Sequence, residues 1–247
     1  MGKMIQLDSD GPFDAYLAPA AEGVPFKGAL IVIEEIWGLT DHIKDVADRY
    51  AAQGYLVLSP DLIGHTGFDA HLGTELQQLM FSSDEKARAE AQPRMREAMA
   101  PVHAPEFAAW AVPALVASVD YLDEQPGVDG RIGVIGYCFG GSYAFALAAA
   151  DSRVRAALPY YGQPPETAEL ENINAPILAF YGQTDERLIT NLPQVTEAME
   201  KAGVDFTAKV YEDTGHAFFN DTNPHTYNAA DAADAWQLSL AFLDKHI

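Results

Sequence analysis

A strand-like run at residues 131–135 enters Gly136-Tyr137-Cys138-Phe139-Gly140, and a helical pattern follows with almost no residues left for a loop. So abrupt a reversal needs glycine two places before and two after the turning residue, so that strand and helix backbones approach with no Cβ atoms between them. The turning residue is then held in a strained conformation. The rest of the chain must supply a sheet whose strands feed helices at their carboxyl ends. Residues 29–33 are continuously apolar and largely β-branched, the mark of a strand covered on both faces. Residues 55–59, 154–159, 177–181 and 206–211 read as further strands, and 4–17 as two short strands joined by a turn at Asp8 to Gly11. Between them, Ile43, Val46, Ala47, Tyr50 and Ala51 form one helical face ended by Gly54, and helical patterns occupy 143–150, 192–202 and about 227–246. Alternating strands and helices predict an α/β fold, a mainly parallel sheet with helices on both faces.

No linker divides the 247 residues, so a single domain over 1–247 is expected. One connection is too long for a simple crossover. Residues 62–130 hold helix-like pieces broken by Pro93, Pro101, Pro105 and Pro113, and are read as an insertion near the mouth of the site. Fifteen Lys and Arg against 36 Asp and Glu leave a net charge of −21, a field that repels nucleic acid and anionic membranes. No apolar run reaches the 18 or so residues needed to span a bilayer, and the N-terminus lacks the apolar core of a signal peptide. The lone cysteine excludes an internal disulfide and fits a reducing, cytoplasmic setting. No HExxH or CxxC pattern appears, so neither a metal nor another cofactor is implied.

Cys138 stands where a nucleophile elbow carries its nucleophile, at a helix N-terminus whose dipole and free N–H groups favour a thiolate. The partners of such a nucleophile follow in the order acid, then histidine. Asp185 comes just after the strand at 177–181, and His216 just after that at 206–211, so both belong at the carboxyl edge of the sheet. Of the other histidines, His42 and His246 are expected on an exposed helix or tail. His65, His71 and His103 precede the elbow, and His225 lies beyond any strand end.

With these residues in place the chain resembles the dienelactone hydrolase family of α/β-hydrolases over nearly its whole length. The likeness is carried by Ile33-Glu34-Glu35-Ile36-Trp37-Gly38-Leu39, Asp45 to Arg49, Gly54 to Leu62, Gly136 to Gly141, Tyr160-Tyr161-Gly162 and Gly215 to Asp221. A cysteine elbow together with Glu-Ile-Trp-Gly is specific, because most α/β-hydrolases carry serine. The resemblance implies that Glu35 holds the resting thiol by a hydrogen bond and releases it when substrate arrives. Glu34 should then face the other way, as a solvated strand-end carboxylate. It also implies an oxyanion hole from the backbone N–H groups of Ile36 and Phe139, and a pocket lined by Trp37 and Tyr161. Family members that act on dienelactone hold its carboxylate with arginines, one shortly after the histidine; here that stretch reads His216-Ala217-Phe218-Phe219-Asn220. Arg88 and Arg94, in the run Lys86 to Arg96, are candidates to replace it, against the reading of a solvated helix face.

The expected activity is hydrolysis of lactones and activated carboxylic esters, small-molecule substrates, by a Cys138–His216–Asp185 triad through a thioester. The alternative within the class is a broad carboxylesterase with no preference for a carboxylate-bearing lactone. A non-catalytic binding protein of this fold would have lost one of the three residues. A redox-sensing thiol would need a resolving cysteine.

Overall fold

The computed structural model describes residues 2–164 and 167–247. Its centre is an eight-stranded sheet of order β1-β2-β4-β3-β5-β6-β7-β8. The hairpin of β1 (Lys3–Ser9) and β2 (Gly11–Ala18) is antiparallel, and β2 also runs antiparallel to β4 (Tyr55–Pro60). The remaining strands, β3 (Gly28–Ile33), β5 (Ile132–Tyr137), β6 (Val154–Tyr160), β7 (Ile177–Gly182) and β8 (Phe206–Tyr211), pair in parallel with one another and with β4. From β3 the chain crosses to β4 on one side and later returns to β5 on the other, so the winding reverses between β3 and β5. In an open sheet that reversal leaves a crevice at the strands' carboxyl ends. The apolar runs at β3, β5 and β7 are buried throughout, as strands covered on both faces must be.

Helix α1 (Asp41–Ala51) buries the apolar face read from its spacing, and His42 with it, against the expectation of an exposed histidine. The 62–130 stretch contains α2 (Ala70–Met80), α3 (Glu85–Met99) and α4 (Pro105–Asp123). α2 and α3 pack on each other, whereas α4 lies on β3, β4 and β5 beside α5 (Phe139–Ala150) as an ordinary crossover helix. Pro101 and Pro105 open new helical segments as expected, but Pro93 and Pro113 do not break theirs. Each prolines' ring and the residue four before it (Ala89, Ala109) lie on the exposed side, where water can take the carbonyl that loses its N–H partner. α7 (Glu186–Ala202) likewise runs through Pro193 and starts directly after Asp185, earlier than the periodicity predicts. The short α6 (Thr167–Leu170) and the final α8 (Ala229–His246) complete the chain. His246 is half-buried, its ring 4.5 Å from that of Phe242.

α5 begins at Phe139, four residues before its apolar pattern becomes visible. Gly140 and Gly141 occupy its first turn because neighbouring backbone leaves no room for a side chain. A Cβ on Gly140 would overlap the carbonyls of Ile33 and Glu34, one on Gly141 that of Tyr160, and one on Gly136 the carbonyl of Gly140. Gly136→Ala therefore sets side chain against backbone, and should destabilise the fold by about 3 kcal/mol, the upper end of overpacking costs; urea denaturation measures this.

The end of β3 holds a second departure. Glu34 is 0% exposed rather than solvated. Its Oε1 accepts a 2.8 Å hydrogen bond from the Ile63 N–H, while Oε2 is buried with no hydrogen-bond partner among the described residues. Burial first, then nearby Asp61, push this carboxyl well above the usual range, against the pull of the Ile63 and Leu62 amides. A carboxyl raised on folding contributes stability that is complete below its unfolded pKa and is lost as pH rises towards the folded value. Glu34→Gln removes that dependence, so its melting temperature relative to the native protein should be higher at pH 8 than at pH 5. An equal difference at both values would mean that Glu34 does not titrate in this way.

Candidate active site

Five strands of the parallel sheet each deliver one residue to the same edge. Glu35 follows β3, Cys138 follows β5, Tyr161 follows β6, Asp185 follows β7 and His216 lies beyond β8. Backbone hydrogen bonds carry the sheet's pairing past the strand ends. Gly140 N–H donates to Glu34 O at 3.0 Å, Cys138 N–H to Tyr160 O at 3.0 Å and Tyr161 N–H to Phe180 O at 2.7 Å. Gln183 N–H reaches Tyr211 O and Thr184 N–H reaches Thr214 O, each at 2.9 Å. Each functional loop is thus tied to the loop beside it.

Cys138 is the N-cap of α5, at φ 56° and ψ −110°. A non-glycine residue at positive φ is uncommon, and Tyr161 (φ 40°) and Ala217 (φ 61°) share the condition at this same edge. Cys138 is half-buried. Phe139, as the first residue of α5, offers one of the helix's free N–H groups. Ile36 lies in the loop after β3, and the bond from Gly140 N–H to Glu34 O holds that loop against the elbow.

His216 Nδ1 lies 2.5 Å from Asp185 Oδ2. That contact leaves the other ring nitrogen for Cys138, which is in interaction range. Burial works against a charge on the ring, but the bond to Asp185 and the neighbouring Cys138 outweigh it and push the imidazole up to about 10. Burial also opposes ionisation of Asp185, and the bond to His216, with help from Arg187, holds its carboxyl below the usual range.

Glu35 is buried and faces away from Glu34's partners, as alternation requires. Its Oε2 accepts from Asn220 Nδ2 at 2.6 Å, and its Oε1 from the Tyr161 hydroxyl at 3.5 Å. Burial raises its carboxyl, while His42, Asn220, His216 and Tyr161 pull it back. Asn220, read from the sequence only as the place of a missing arginine, has no exposed surface. Its Oδ1 accepts from both the backbone and the hydroxyl of Thr222, so its polar atoms are committed inside the protein. No sequence pattern announced this role beyond the position of Asn220 in the histidine loop.

Tyr161 packs its ring 5.0 Å from that of His216. Trp37 is buried edge-on against Phe81, at the end of α2. The basic run is not brought to the sulfur by any contact among the described residues. Arg94 pairs with Glu75 at 2.9 Å, Arg88 donates to Ser82 O at 2.6 Å and Lys86 lies 3.9 Å from Glu90. Among the described residues no group of three or more His, Cys, Asp or Glu side chains is placed to hold a metal ion, and no helix is long and apolar enough to cross a membrane.

Comparison with known proteins identifies the family of this fold. The model of the dienelactone hydrolase family matches residues 13–247. A Saccharolobus solfataricus protein provisionally named a carboxymethylenebutenolidase is 31% identical over 265 residues, covering 98% of each chain. Protein usf of Aquifex pyrophilus is 30% identical across 100% of both chains. In shape, the crystal structure of a Klebsiella pneumoniae protein provisionally named a dienelactone hydrolase superposes with a TM-score of 0.81 at 24% identity, over 100% of this chain and 99% of that one. The chain therefore belongs to the dienelactone hydrolase family, hydrolases of ester bonds built on the α/β-hydrolase fold.

Proposed function

We propose that the protein hydrolyses lactones and activated carboxylic esters with Cys138 as nucleophile, His216 as general base and acid, and Asp185 as the group that orients and stabilises the imidazolium. The observation that carries the reading is the convergence of Asp185, His216 and a strained Cys138 at one helix N-terminus. The sulfur adds to the acyl carbon with its proton held on His216, and the carbonyl oxygen becomes an oxyanion facing the N–H groups of Ile36 and Phe139. Collapse expels the alkoxide or enolate, which takes the proton from His216, and leaves a thioester. Water, deprotonated by His216, then cleaves the thioester and restores the thiol. Among the described residues Glu35 bonds to Asn220 and Tyr161 rather than to the thiol, and it acts on the resting thiol through its charge, which disfavours a second one on sulfur. The single cysteine and the acidic surface fit a cytoplasmic enzyme of small molecules rather than one acting on nucleic acid.

The commitment of Asn220 to Glu35 and Thr222 favours the reading without a preference for carboxylate-bearing lactones. On this view Arg88 and Arg94 belong to a solvated helix face.

Cys138→Ala and His216→Ala should each lower kcat by at least ~10³-fold with folding retained. Substantial hydrolysis by folded Cys138→Ala would remove sulfur from the reaction.

Sulfur also sets which esters turn over. A thiolate has a conjugate-acid pKa near 8.5 in the free residue, far below that of a simple alkoxide. The tetrahedral adduct of an alkyl ester therefore returns mostly to starting material, whereas enolate and phenolate leave forward. kcat/KM for an enol lactone or aryl acetate should exceed that for the matching ethyl ester by at least ~10²-fold, about 2.7 kcal/mol in barrier. Rates within about threefold of each other would contradict the partitioning argument, at ~0.65 kcal/mol.

A further inference from the structure

The Glu35 carboxylate has a neutral partner at each oxygen, Asn220 and Tyr161, in a fully buried place. A buried charge with neutral hydrogen-bond partners is costly, and nearby cationic groups, His216 among them, offset that cost. Arginine is absent from the histidine loop, but α1 supplies an imidazole. His42 is 5% exposed, lies close enough to Glu35 to favour its charged form, and sits with Nδ1 3.3 Å from Asp221 Oδ1. That contact has ion-pair distance without hydrogen-bond alignment, and neither ring nitrogen has another partner among the described residues. The second oxygen of Asp221 accepts from Arg49 at 2.6 Å, and Arg49 also pairs with Asp45. His42 and Arg49 together hold the Asp221 carboxyl well below the usual range. The register is telling. Asn220 reaches Glu35 and the next residue, Asp221, reaches His42, so one short piece of backbone secures both members of a pair whose other halves lie on β3's exit and on α1.

We propose that His42 is the counter-charge of Glu35, a positioning residue that keeps this buried side chain a carboxylate beside the thiol, and that Asp221 and Arg49 hold His42 in that role. The inference rests on the reading of Glu35 given above, and it extends the site to a second layer. Among the described residues, the titratable groups that act on Glu35 are His42 from α1, His216 from beyond β8 and Tyr161 from the end of β6, and Asp221 lies beside His42. A cavity of about 380 Å³ is lined by Thr40, His42, Gln77, Phe81 and Thr222 among others.

The test follows the carboxyl carbon of Glu35 by NMR in glutamate-labelled protein, with its signal assigned by its loss in Glu35→Gln. In His42→Asn the titration midpoint of Glu35 should rise by at least ~1 pH unit, and kcat should fall at least ~10-fold with KM nearly unchanged. A merely structural histidine would lower the melting temperature without moving that midpoint.

Asp221→Asn is the second variant, and its sign discriminates. Removing the Asp221 charge acts directly by lowering the Glu35 midpoint, as removal of a like charge must. Through His42 it acts in the opposite sense, because the imidazolium loses the carboxylate that stabilises it. A rise supports the proposal, and a fall, or an unchanged midpoint in His42→Asn, overturns it. If instead Glu35→Gln leaves kcat and the pH profile of Cys138 alkylation as they were, the role of Glu35 at the thiol fails, while the pairing with His42 is still decided by the NMR midpoints.

Discussion

Hydrogen bonds that continue the parallel ladder beyond the strand ends are the interactions on which the rest of this structure depends. Within the strands they hold a sheet; past them, at 34–140, 138–160, 161–180, 183–211 and 184–214, they hold loops. Loops usually hydrogen-bond to water and move. These bond to one another in a row, and each bond lies within a few residues of a group in the site. The strained backbone at Cys138 persists because its own N–H is bonded to Tyr160 and its helix starts against the Glu34 carbonyl. Four non-glycine residues at positive φ on one edge, Cys138, Tyr161, Asp213 and Ala217, persist because the neighbouring backbone over-determines them. Cys138, Asp185 and His216 come from distant parts of the chain. Their relative placement still inherits the regular spacing of the sheet.

The same constraint explains the glycines. Backbone-to-backbone contact between β3, the elbow and the loop after β6 leaves no volume for Cβ atoms at Gly136, Gly140, Gly141 and Gly162. That closeness holds the loop after β3 against the start of α5 without a dedicated side chain. Sequence and function meet here at the level of steric exclusion. The glycine pattern is visible in the sequence because what it permits is local.

Legibility fell away where the deciding contact was distant. The strands, the elbow and the order Cys138, Asp185, His216 could be read because each depends on neighbours a few residues away. His42 could not: as the second residue of an amphipathic helix it has a surface histidine's pattern, and only Asp221, far along the chain, shows that it is inside. Glu34 looked solvated because a strand-end glutamate usually is, yet the 61–64 turn covers it and offers the Ile63 amide. Pro93 and Pro113 looked like breaks, since periodicity alone does not show that each freed carbonyl faces water. Asn220 was legible as a substitution but not as a ligand of Glu35, because a missing cation says nothing about which way its replacement turns.

For a chain of net charge −21, the placement of its few cations is informative. Arg153 serves Asp151 and Asp120 far from the site, Arg94 serves Glu75 on the paired helices, and Arg49 serves Asp221 and Asp45. Of these, only Arg49 stands one carboxylate away from a group that acts on Glu35. The order is therefore Arg49, Asp221, His42, Glu35, with charge alternating from the surface to the buried side chain. An alternating row lowers the cost of burying its inner members, since each charge is flanked by its opposite. A direct arginine at position 220 would also neutralise Glu35, but its long, permanently charged fork would bring a fixed cation to the histidine loop. Asparagine with a histidine behind it leaves position 220 neutral, so that the buried carboxylate is balanced from a second layer rather than by a direct ion pair.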